Sequence, residues 1–232
     1  MRQLKGLFKD SKRLRLLAVF PHPDDESFVA GGLFQLAKEL GIDTTLICLT
    51  GGTKKNQFKK RKRELEKACK VIGIENLVLW DYVEGELKNK ATSWLARFKK
   101  ILLLKKPDFL LTFDHSGITG HPDHIVISVE IVKLIKSLKS QKPKILFRVP
   151  DKVERKHFKT NQSLVLADDP THIVVLSFRQ SLRKIKAIFA HQSQMPSLLF
   201  KLRILDWYLF DHFEPYHLLN FKNRKRPKIV IK

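Results

Sequence analysis

The sequence predicts an α/β fold in which helices cover a parallel sheet. Short apolar runs rich in β-branched residues alternate with longer amphipathic segments, which is the pattern of such a fold. Three clusters of polar residues also follow the ends of predicted strands, after Phe20, Leu49 and Phe113. Ligands bind outside the carboxyl ends of the strands in these sheets, so the clusters are the first functional signal.

The predicted elements alternate along the chain, and residues that end helices bound most of them. Gly41 and Gly73 follow the first two helices, and Pro107 follows the third. The second helix is charged on one face and apolar on the other, where Leu65 and Ile72 lie. The predicted strands are 14–20, 44–49, 77–80, 109–113, 145–149 and 173–178. The predicted helices are 26–40, 57–72, 94–104, 123–138, 182–190 and 198–210.

The chain is expected to form one domain over residues 1–232, because no repeat and no low-complexity linker divides it. Hydrophobic residues make up 43% of the sequence, which is ample for one buried core. The basic end of the chain, 222–232, is expected to be an extended or flexible tail. The two cysteines allow neither a disulfide framework nor a four-cysteine zinc site, and they suit a reduced cytosol.

Neither a membrane span nor a signal peptide is expected. The longest stretch without a charged side chain is 187–200, whereas a spanning helix needs about 20 mostly apolar residues. The apolar run near the N-terminus stops at Pro21 and is followed by charge, without a small-residue cleavage site. We therefore expect a cytoplasmic protein, and peripheral contact with the inner membrane surface stays open.

The charge of the chain is strongly unbalanced. Against 23 aspartates and glutamates stand 45 lysines and arginines, which gives a formal net charge of +22. Such a field attracts anions: nucleic acid, an anionic lipid surface or a phosphorylated small molecule. Seven basic residues fall between Lys54 and Arg63, beside the predicted ligand site. A solvated helix face explains this basic run as well as a functional role does.

The first polar cluster runs from His22 to Glu26 and reads His-Pro-Asp-Asp-Glu. His22 and Asp25 are three residues apart across a strand-to-helix turn, so both can converge on one ion such as zinc. Asp24 then points elsewhere, close enough to contact a water on the metal. The alternative is that these acids only stabilise the N-terminus of a helix through its dipole.

The second cluster, from Gly120 to His124, repeats the His-Pro-Asp sequence after another predicted strand. A catalytic zinc takes three protein ligands and keeps one position for water. His22 and Asp25 supply two ligands, and either His121 or His124 supplies the third. Ordinary surface histidines at a helix start are the alternative. The sequence contains no G-x-S-x-G elbow, P-loop or G-x-G-x-x-G turn that would offer a competing site.

Five motifs follow one another in an order that a known family shares. They are HPDDE at 22–26, TGG at 50–52, Arg61 with Glu64-Leu65, GHPDH at 120–124 and AHQSQ at 190–194. With these motifs the chain resembles the PIG-L/LmbE-like family of zinc-dependent N-acetylglucosaminyl deacetylases, from about Leu16 to Gln194. HPDDE and GHPDH are the specific motifs, and the others support them. The resemblance implies a Rossmann-like three-layer sandwich with a mostly parallel sheet.

The resemblance also implies catalytic roles. The positions that match the family's zinc ligands are His22, Asp25 and His124. Asp24 matches the general base that takes a proton from the attacking water. His121 with Asp123 resembles a pair that stabilises charge near the oxyanion and the leaving group, Asp123 orienting His121.

Three further positions match substrate-binding residues of the family. Arg61 falls where the family has a substrate-binding arginine, although it stands within a basic run. Asp81 falls where an acid lines the sugar pocket, and a turn residue after a strand is the alternative. His191 matches a late histidine near the substrate, and a cation at a helix C-terminus is the alternative.

The implied reaction removes acetate from an N-acetylated amino sugar, an N-acetylglucosaminyl conjugate that the charge predicts to be anionic. One zinc ion would activate water, with Asp24 as general base. Two alternatives stay open: a zinc amidase that acts on a larger amide of a thiol conjugate, and a basic anion- or membrane-binding protein with a vestigial metal site. The expected partner is a small sugar conjugate, lipid- or phosphate-linked, rather than nucleic acid. The aglycone and the oligomeric state stay open.

Overall fold

The computed structural model describes residues 1–8, 13–52, 57–139, 142–160, 162–210 and 212–220. Its strands are β1 Arg2–Gln3, β2 Arg15–Phe20, β3 Asp43–Thr50, β4 Asn76–Tyr82, β5 Phe109–Phe113, β6 Lys144–Arg148, β7 His172–Val175 and β8 Phe213–Leu218. Its helices are α1 Asp25–Glu39, α2 Phe58–Ile72, α3 Ala91–Lys105, α4 Gly117–Gly120, α5 Pro122–Ser137, α6 Lys152–His157, α7 Phe178–Ala190 and α8 Leu198–Phe210.

The strands form one sheet of eight, in the order β1-β7-β8-β6-β5-β2-β3-β4. Every neighbouring pair is parallel except those of β8, which runs antiparallel to both β6 and β7. The predicted α/β fold with a mostly parallel sheet is therefore confirmed. Because β2 and β5 are parallel neighbours, with Leu16 opposite Phe109, the loops that follow them meet at one edge of the sheet.

Helices cover both faces of the sheet because strand residues alternate between two apolar cores. In β2, Leu16 and Ala18 belong to one core, whereas Leu17 and Val19 belong to the other. Helices α1, α2 and α7 pack over the first core, and α3 and α5 over the second. The sheet thus lies between two helical layers, and α8 packs against α7.

The predicted strands and helices are all present, with ends that differ by a few residues. Helix α7 begins earlier than predicted because Ser177 and Gln180 form a capping box at its start. Four elements, β1, α4, α6 and β8, were not predicted; β8 is interrupted by polar residues and Pro215, which hides its strand pattern. The predicted tail at 222–232 lies outside the described residues. Within the described part of the chain, every helix is too short or too polar to cross a bilayer.

Candidate active site

The two histidine-containing clusters meet at the carboxyl edge of the central strands. His22 follows β2, and Asp25 is the first residue of α1; His124 lies in the first turn of α5, which comes after β5. All three side chains are buried. The neighbouring strands therefore bring together residues that are about a hundred positions apart in sequence.

Three donor groups converge at this edge. His22 Nδ1 lies 3.2 Å from His124 Nε2. The carboxylate oxygens of Asp25 lie 3.6 Å from His22 Nδ1 and 3.5 Å from His124 Nε2. Ligands that surround zinc tetrahedrally at about 2.0–2.2 Å lie about 3.3–3.6 Å from one another. The spacing of these three donors thus fits one small cation.

Hydrogen bonds on the outer side of each imidazole fix which nitrogen faces this point. His22 Nε2 donates to Asp123 Oδ2 at 3.2 Å, and His124 Nδ1 donates to the carbonyl of Gly117 at 3.0 Å. A carboxylate and a carbonyl only accept, so the opposite nitrogens, His22 Nδ1 and His124 Nε2, keep their lone pairs when the rings are neutral. Metal-binding histidines are usually oriented in this way.

The electrostatics of the cluster also favour a positive charge. Burial opposes ionisation of His22, but Asp123 and Asp25 outweigh it and raise the pKa of the imidazole. Burial and the neighbouring His22 lower the pKa of His124 well below its usual value. Burial raises the pKa of Asp25 to about 8, against the effect of His22. A bound cation would offset the cost of an ionised Asp25 at neutral pH.

His121 lies at the rim of the cluster. A ring nitrogen from each of His22, His121 and His124 can be chosen so that the three lie within 4.8 Å of one another. His121 is half-buried, its Nδ1 accepts from the backbone N–H of Asp123 at 3.2 Å, and its Nε2 lies 3.9 Å from Glu84 Oε1. The neutral ring therefore carries its proton on Nε2, which makes that atom a hydrogen-bond donor.

Asp123 is buried in the site, but its carboxylate is not placed on the His121 ring as the sequence reasoning expected. It accepts from His22 Nε2 and from the backbone N–H of Gly85 and Leu87, at 2.6 Å and 3.3 Å respectively. The reason is the helix start: the ring of His121 caps α5 by accepting the Asp123 N–H, and the carboxylate points the other way. Asp123 thus orients a different imidazole, that of His22.

Asp24 has an unusual backbone conformation beside the cluster. Its φ is 123°, which side-chain-bearing residues rarely adopt. The carboxylate of Glu26 accepts the Asp24 N–H at 3.0 Å, and the Asp24 carbonyl accepts from Ser27 and Phe28. Burial raises the pKa of Asp24 to about 6, while Arg61, whose Nη2 lies 3.6 Å from Oδ2, acts against this.

Arg61 is the buried member of the described part of its basic run, residues 59–63. It is buried, and its Nη2 donates to the carbonyl of Pro23 at 2.7 Å. Its Nη1 donates to Glu84 at 3.4 Å. Gly52, with φ of 103°, makes room for it, since a Cβ there would lie 2.7 Å from Arg61 Cδ. The TGG motif therefore supports the arginine, and its Thr50 also anchors the His22 loop by donating to the carbonyl of Pro21.

The His191 side chain lies next to the site, where it is buried against Glu26. Its side chain is fully buried, and Nε2 lies 2.8 Å from Glu26 Oε1. Burial opposes protonation, but Glu26 outweighs it and raises the pKa of His191. The AHQSQ motif is also tied to α2, because Ser193 donates from its N–H and hydroxyl to Glu64. Glu26 and Glu64 belong to the quoted motifs, but neither was predicted to have a catalytic or binding role.

Asp81 is the one predicted site residue that the structure does not bring into the cluster. Its side chain is 83% exposed on β4 and lies 3.9 Å from Arg97. Glu84, three residues later, reaches both Arg61 and His121 instead. The sequence signal for Glu84 was that an acidic residue follows a strand at the carboxyl edge of the sheet. Glu84 lies in a loop beyond the predicted strand, however, so the alternation of strand residues could not predict the direction of its side chain.

Comparison with known proteins places the chain in a family. The model of the family described as PIG-L, GlcNAc-PI de-N-acetylase, matches residues 17–135, more than half of the chain. A probable N-acetyl-alpha-D-glucosaminyl L-malate deacetylase 2 of Bacillus cereus is 28% identical over 199 residues, which cover 79% of this chain and 85% of that protein. The N-acetylglucosaminyl-phosphatidylinositol de-N-acetylase of Bos taurus is 30% identical over 229 residues, covering 89% and 83%.

The fold comparison agrees. N,N'-diacetylchitobiose deacetylase from Pyrococcus horikoshii aligns with a TM-score of 0.69 at 21% identity, over 94% of this chain and 87% of that one. At this sequence identity the structural similarity is evidence for the fold alone, and this fold is the one that the motifs predicted. The sequence matches go further: the chain belongs to the PIG-L family of de-N-acetylases, which are hydrolases.

Proposed function

We propose that the protein is a zinc-dependent N-deacetylase that removes acetate from an anionic N-acetylglucosaminyl conjugate. The observation that carries the proposal is the convergence of His22, Asp25 and His124 within 3.2–3.6 Å of one another. These three residues would hold the ion. When bound, zinc lowers the pKa of a water to about 7 and polarises the amide carbonyl.

The remaining steps fall to side chains of this chain. Asp24 would take the proton of the attacking water and later return one to the departing amine, which a carboxyl with a pKa near 6 can do at neutral pH. His121 would donate from Nε2 to the carbonyl oxygen as negative charge develops there. Asp123 would keep His22 in the tautomer that offers Nδ1 to the metal.

The substrate class is supported by the relatives and by charge. The bacterial relative is named for a malate conjugate of N-acetylglucosamine and the bovine one for a phosphatidylinositol conjugate, and both of these aglycones are acidic. The exposed face of α2 beside Arg61 is basic, with Lys59, Lys60 and Arg63 in its first two turns. Arg61 stays the proposed contact for the substrate, while the substrate-binding roles of Asp81 and His191 stay predictions.

The decisive experiment measures metal content and acetate release together. The purified protein should contain about one zinc per chain. It should release acetate from N-acetylglucosaminyl malate or from N-acetylglucosaminyl-phosphatidylinositol faster than from free N-acetylglucosamine. The control is Asp24→Asn, which should be inactive but keep its zinc. Zinc binding with release of an acid larger than acetate from a thiol conjugate would favour the amidase. Absence of bound zinc at saturating metal would contradict the proposal and leave an anion-binding protein.

A further inference from the structure

The middle of α1 exchanges hydrogen bonds with buried side chains from other parts of the fold. The amides of Gly32 and Leu33 donate to the two carboxylate oxygens of Glu214, at 2.7 Å and 2.9 Å. In an α-helix the partners of these amides are the carbonyls four residues earlier, those of Phe28 and Val29. The Glu214 side chain thus binds the N–H donors of two consecutive hydrogen-bonding positions of α1.

The acceptor side of the same two hydrogen bonds is contacted as well. The carbonyl of Phe28 accepts from the Tyr208 hydroxyl at 3.2 Å. The carbonyl of Val29 accepts from Arg148 Nε at 2.9 Å, and the Tyr216 hydroxyl oxygen lies 3.4 Å from it. Side chains inserted into the helical ladder are a recognised cause of local bending or bulging, which is frequent at functional sites.

The inserted groups form one buried ionic network. Glu214 is fully buried and accepts from Lys184 Nζ at 2.7 Å and from the Tyr216 hydroxyl at 2.8 Å. Arg148 pairs with Glu154, with two N–H donors at 2.9 Å and 3.0 Å. Burial opposes ionisation of Glu214, but Lys184, the Gly32 amide and Arg148 outweigh it and hold its pKa below the usual value.

The sequence of α1 accommodates this insertion. Two glycines, Gly31 and Gly32, stand side by side in the helix, although glycine in a helix interior is destabilising relative to alanine. A Cβ at Gly32 would lie 2.7 Å from Leu176 and 3.0 Å from the Glu214 carboxyl carbon. A Cβ at Gly31 would lie 3.0 Å from the Lys184 side chain. The glycines thus leave the space that Glu214 and Lys184 occupy.

These contacts lie between the first turn of α1, which carries the site residues, and the rest of the helix, which continues to Glu39. The segment before them begins with Asp25, whose carboxylate faces the two imidazoles, and Glu26, which holds the strained Asp24 N–H and His191. We propose that Glu214 is a positioning residue that sets the direction of the first turn of α1, and through it the placement of Asp25 and Asp24. The metal and kinetic parts of this inference rest on the proposed function.

The test is Glu214→Gln, which keeps the shape of the side chain but loses the charge and one of the two acceptors for the helix amides. Zinc affinity, measured by competition with a chelator, should fall by about 10- to 100-fold, as for other groups that orient metal ligands. The kcat should fall while KM changes little, because the substrate contacts are retained. Amide hydrogen exchange in residues 25–29 should become faster.

Controls separate positioning from a loss of stability. Leu102→Ala removes a buried side chain on α3, on the other face of the sheet, and should lower the melting temperature without altering zinc affinity, and it should not raise exchange in 25–29 more than in the rest of the chain. If Glu214→Gln does not fold, Tyr216→Phe removes one hydrogen-bond donor to Glu214, and it should show the same changes at smaller size. Gly32→Ala, whose Cβ would crowd both Leu176 and the Glu214 carboxylate, should change zinc affinity and exchange in 25–29 in the same direction.

Two results would overturn the inference: wild-type zinc affinity and exchange in the folded Glu214→Gln protein, or a uniform rise in exchange over the whole chain equal to that of Leu102→Ala. Failure of the proposed function looks different. A wild-type protein that binds no zinc would disprove the function, whereas the exchange of residues 25–29 would still decide whether Glu214 positions the start of α1.

Discussion

Asp24 shows how the site uses an uncommon backbone conformation. A non-glycine residue at φ 123° costs of the order of 1–3 kcal/mol and persists only where its surroundings impose it. Here the surroundings are specific: Glu26 accepts the Asp24 N–H, and the start of α1 donates to its carbonyl. The conformation turns consecutive residues in different directions, so that Asp25 faces the imidazoles while Asp24 faces Arg61.

The ligand assignment predicts distinct outcomes for the three histidines of the site. His22→Ala or His124→Ala should abolish bound zinc together with activity, because each removes one donor from a three-donor site. His121→Ala should keep near-normal zinc while kcat falls, since its Nδ1 is engaged by the start of α5. Zinc content and kcat, measured on the same preparations of each variant, distinguish a metal ligand from a residue that acts only in catalysis. Full zinc in His124→Ala, or its loss in His121→Ala, would change the ligand set.

Asp24→Asn should separate chemistry from metal binding. The amide cannot accept a proton from water, so kcat should fall by about 100-fold or more, with KM little changed. Zinc content should stay near that of the wild type because Asp25 supplies the carboxylate that faces both imidazoles. Asp25→Ala is the comparison. Equal zinc loss in both variants would exchange the roles of the two acids.

At the scale of elements, the loops that follow the strands decide which motif residues act together. Gly52→Ala tests this for the end of β3. A Cβ there would lie 2.7 Å from Arg61 Cδ and Nη1, so the guanidinium should move away from Pro23 and Asp24, and kcat/KM should fall by about 10- to 100-fold. Gly41→Ala is the matched control: it has the same kind of positive φ, but nothing lies within 4 Å.

The Gly52 comparison is read from two measurements. Both variants should lose stability in urea unfolding, because both strain a residue at positive φ, and Gly52→Ala should lose more because its Cβ also displaces the buried Arg61. Only Gly52→Ala should lose activity. A similar loss of activity in Gly41→Ala would mean that general destabilisation, and not the position of Arg61, explains the effect.

Much of the element order could be predicted from the sequence, because apolar strands and amphipathic helices leave periodic patterns. His22, Asp25 and either His121 or His124 could be proposed as ligands because the same motif follows two strands, and the resemblance to the family singled out His124. The hydrogen-bond partners that a side chain finds on other elements could not be predicted from the sequence. The Asp123 carboxylate was expected to orient the His121 ring, but it accepts a hydrogen bond from His22 instead. The reason is that the His121 ring caps α5, which turns the carboxylate away from it. Glu214 carries no local signal because the helix amides that it binds are about 180 residues away.

At the scale of the molecule, the formal net charge of +22 predicts a salt effect that depends on the substrate. Raising ionic strength should lower kcat/KM for an anionic conjugate, because salt screens exposed charges beyond about 8–10 Å near physiological strength. Turnover of neutral N-acetylglucosamine should scarcely change. Equal salt responses for both substrates would disprove steering while leaving the deacetylase proposal intact.

Charge reversals locate the source of that field. Changing Lys59, Lys60 and Arg63 on α2 to Glu should lower kcat/KM for the anionic conjugate and flatten its salt dependence. Reversing Lys99, Lys100 and Lys106, at the other face of the sheet, changes the net charge by the same amount and should have little effect. Lys54 and Lys55, which belong to the same basic run, lie outside the described residues. Equivalent effects from both triple variants would point to overall charge.

The position of β8 has a consequence for how the protein is made. It is the last described strand in sequence, yet it lies inside the sheet, between β6 and β7. During synthesis the five strands from β6 to β4 can pair as they emerge, but β7 and β1 have no bridge to them until residues 213–218 have left the ribosome. Glu214 arrives in the same segment. Ribosome-stalled chains that end before residue 213 should therefore leave β7 accessible to protease and bind zinc poorly, whereas release of the longer chain should bring protection and metal affinity together.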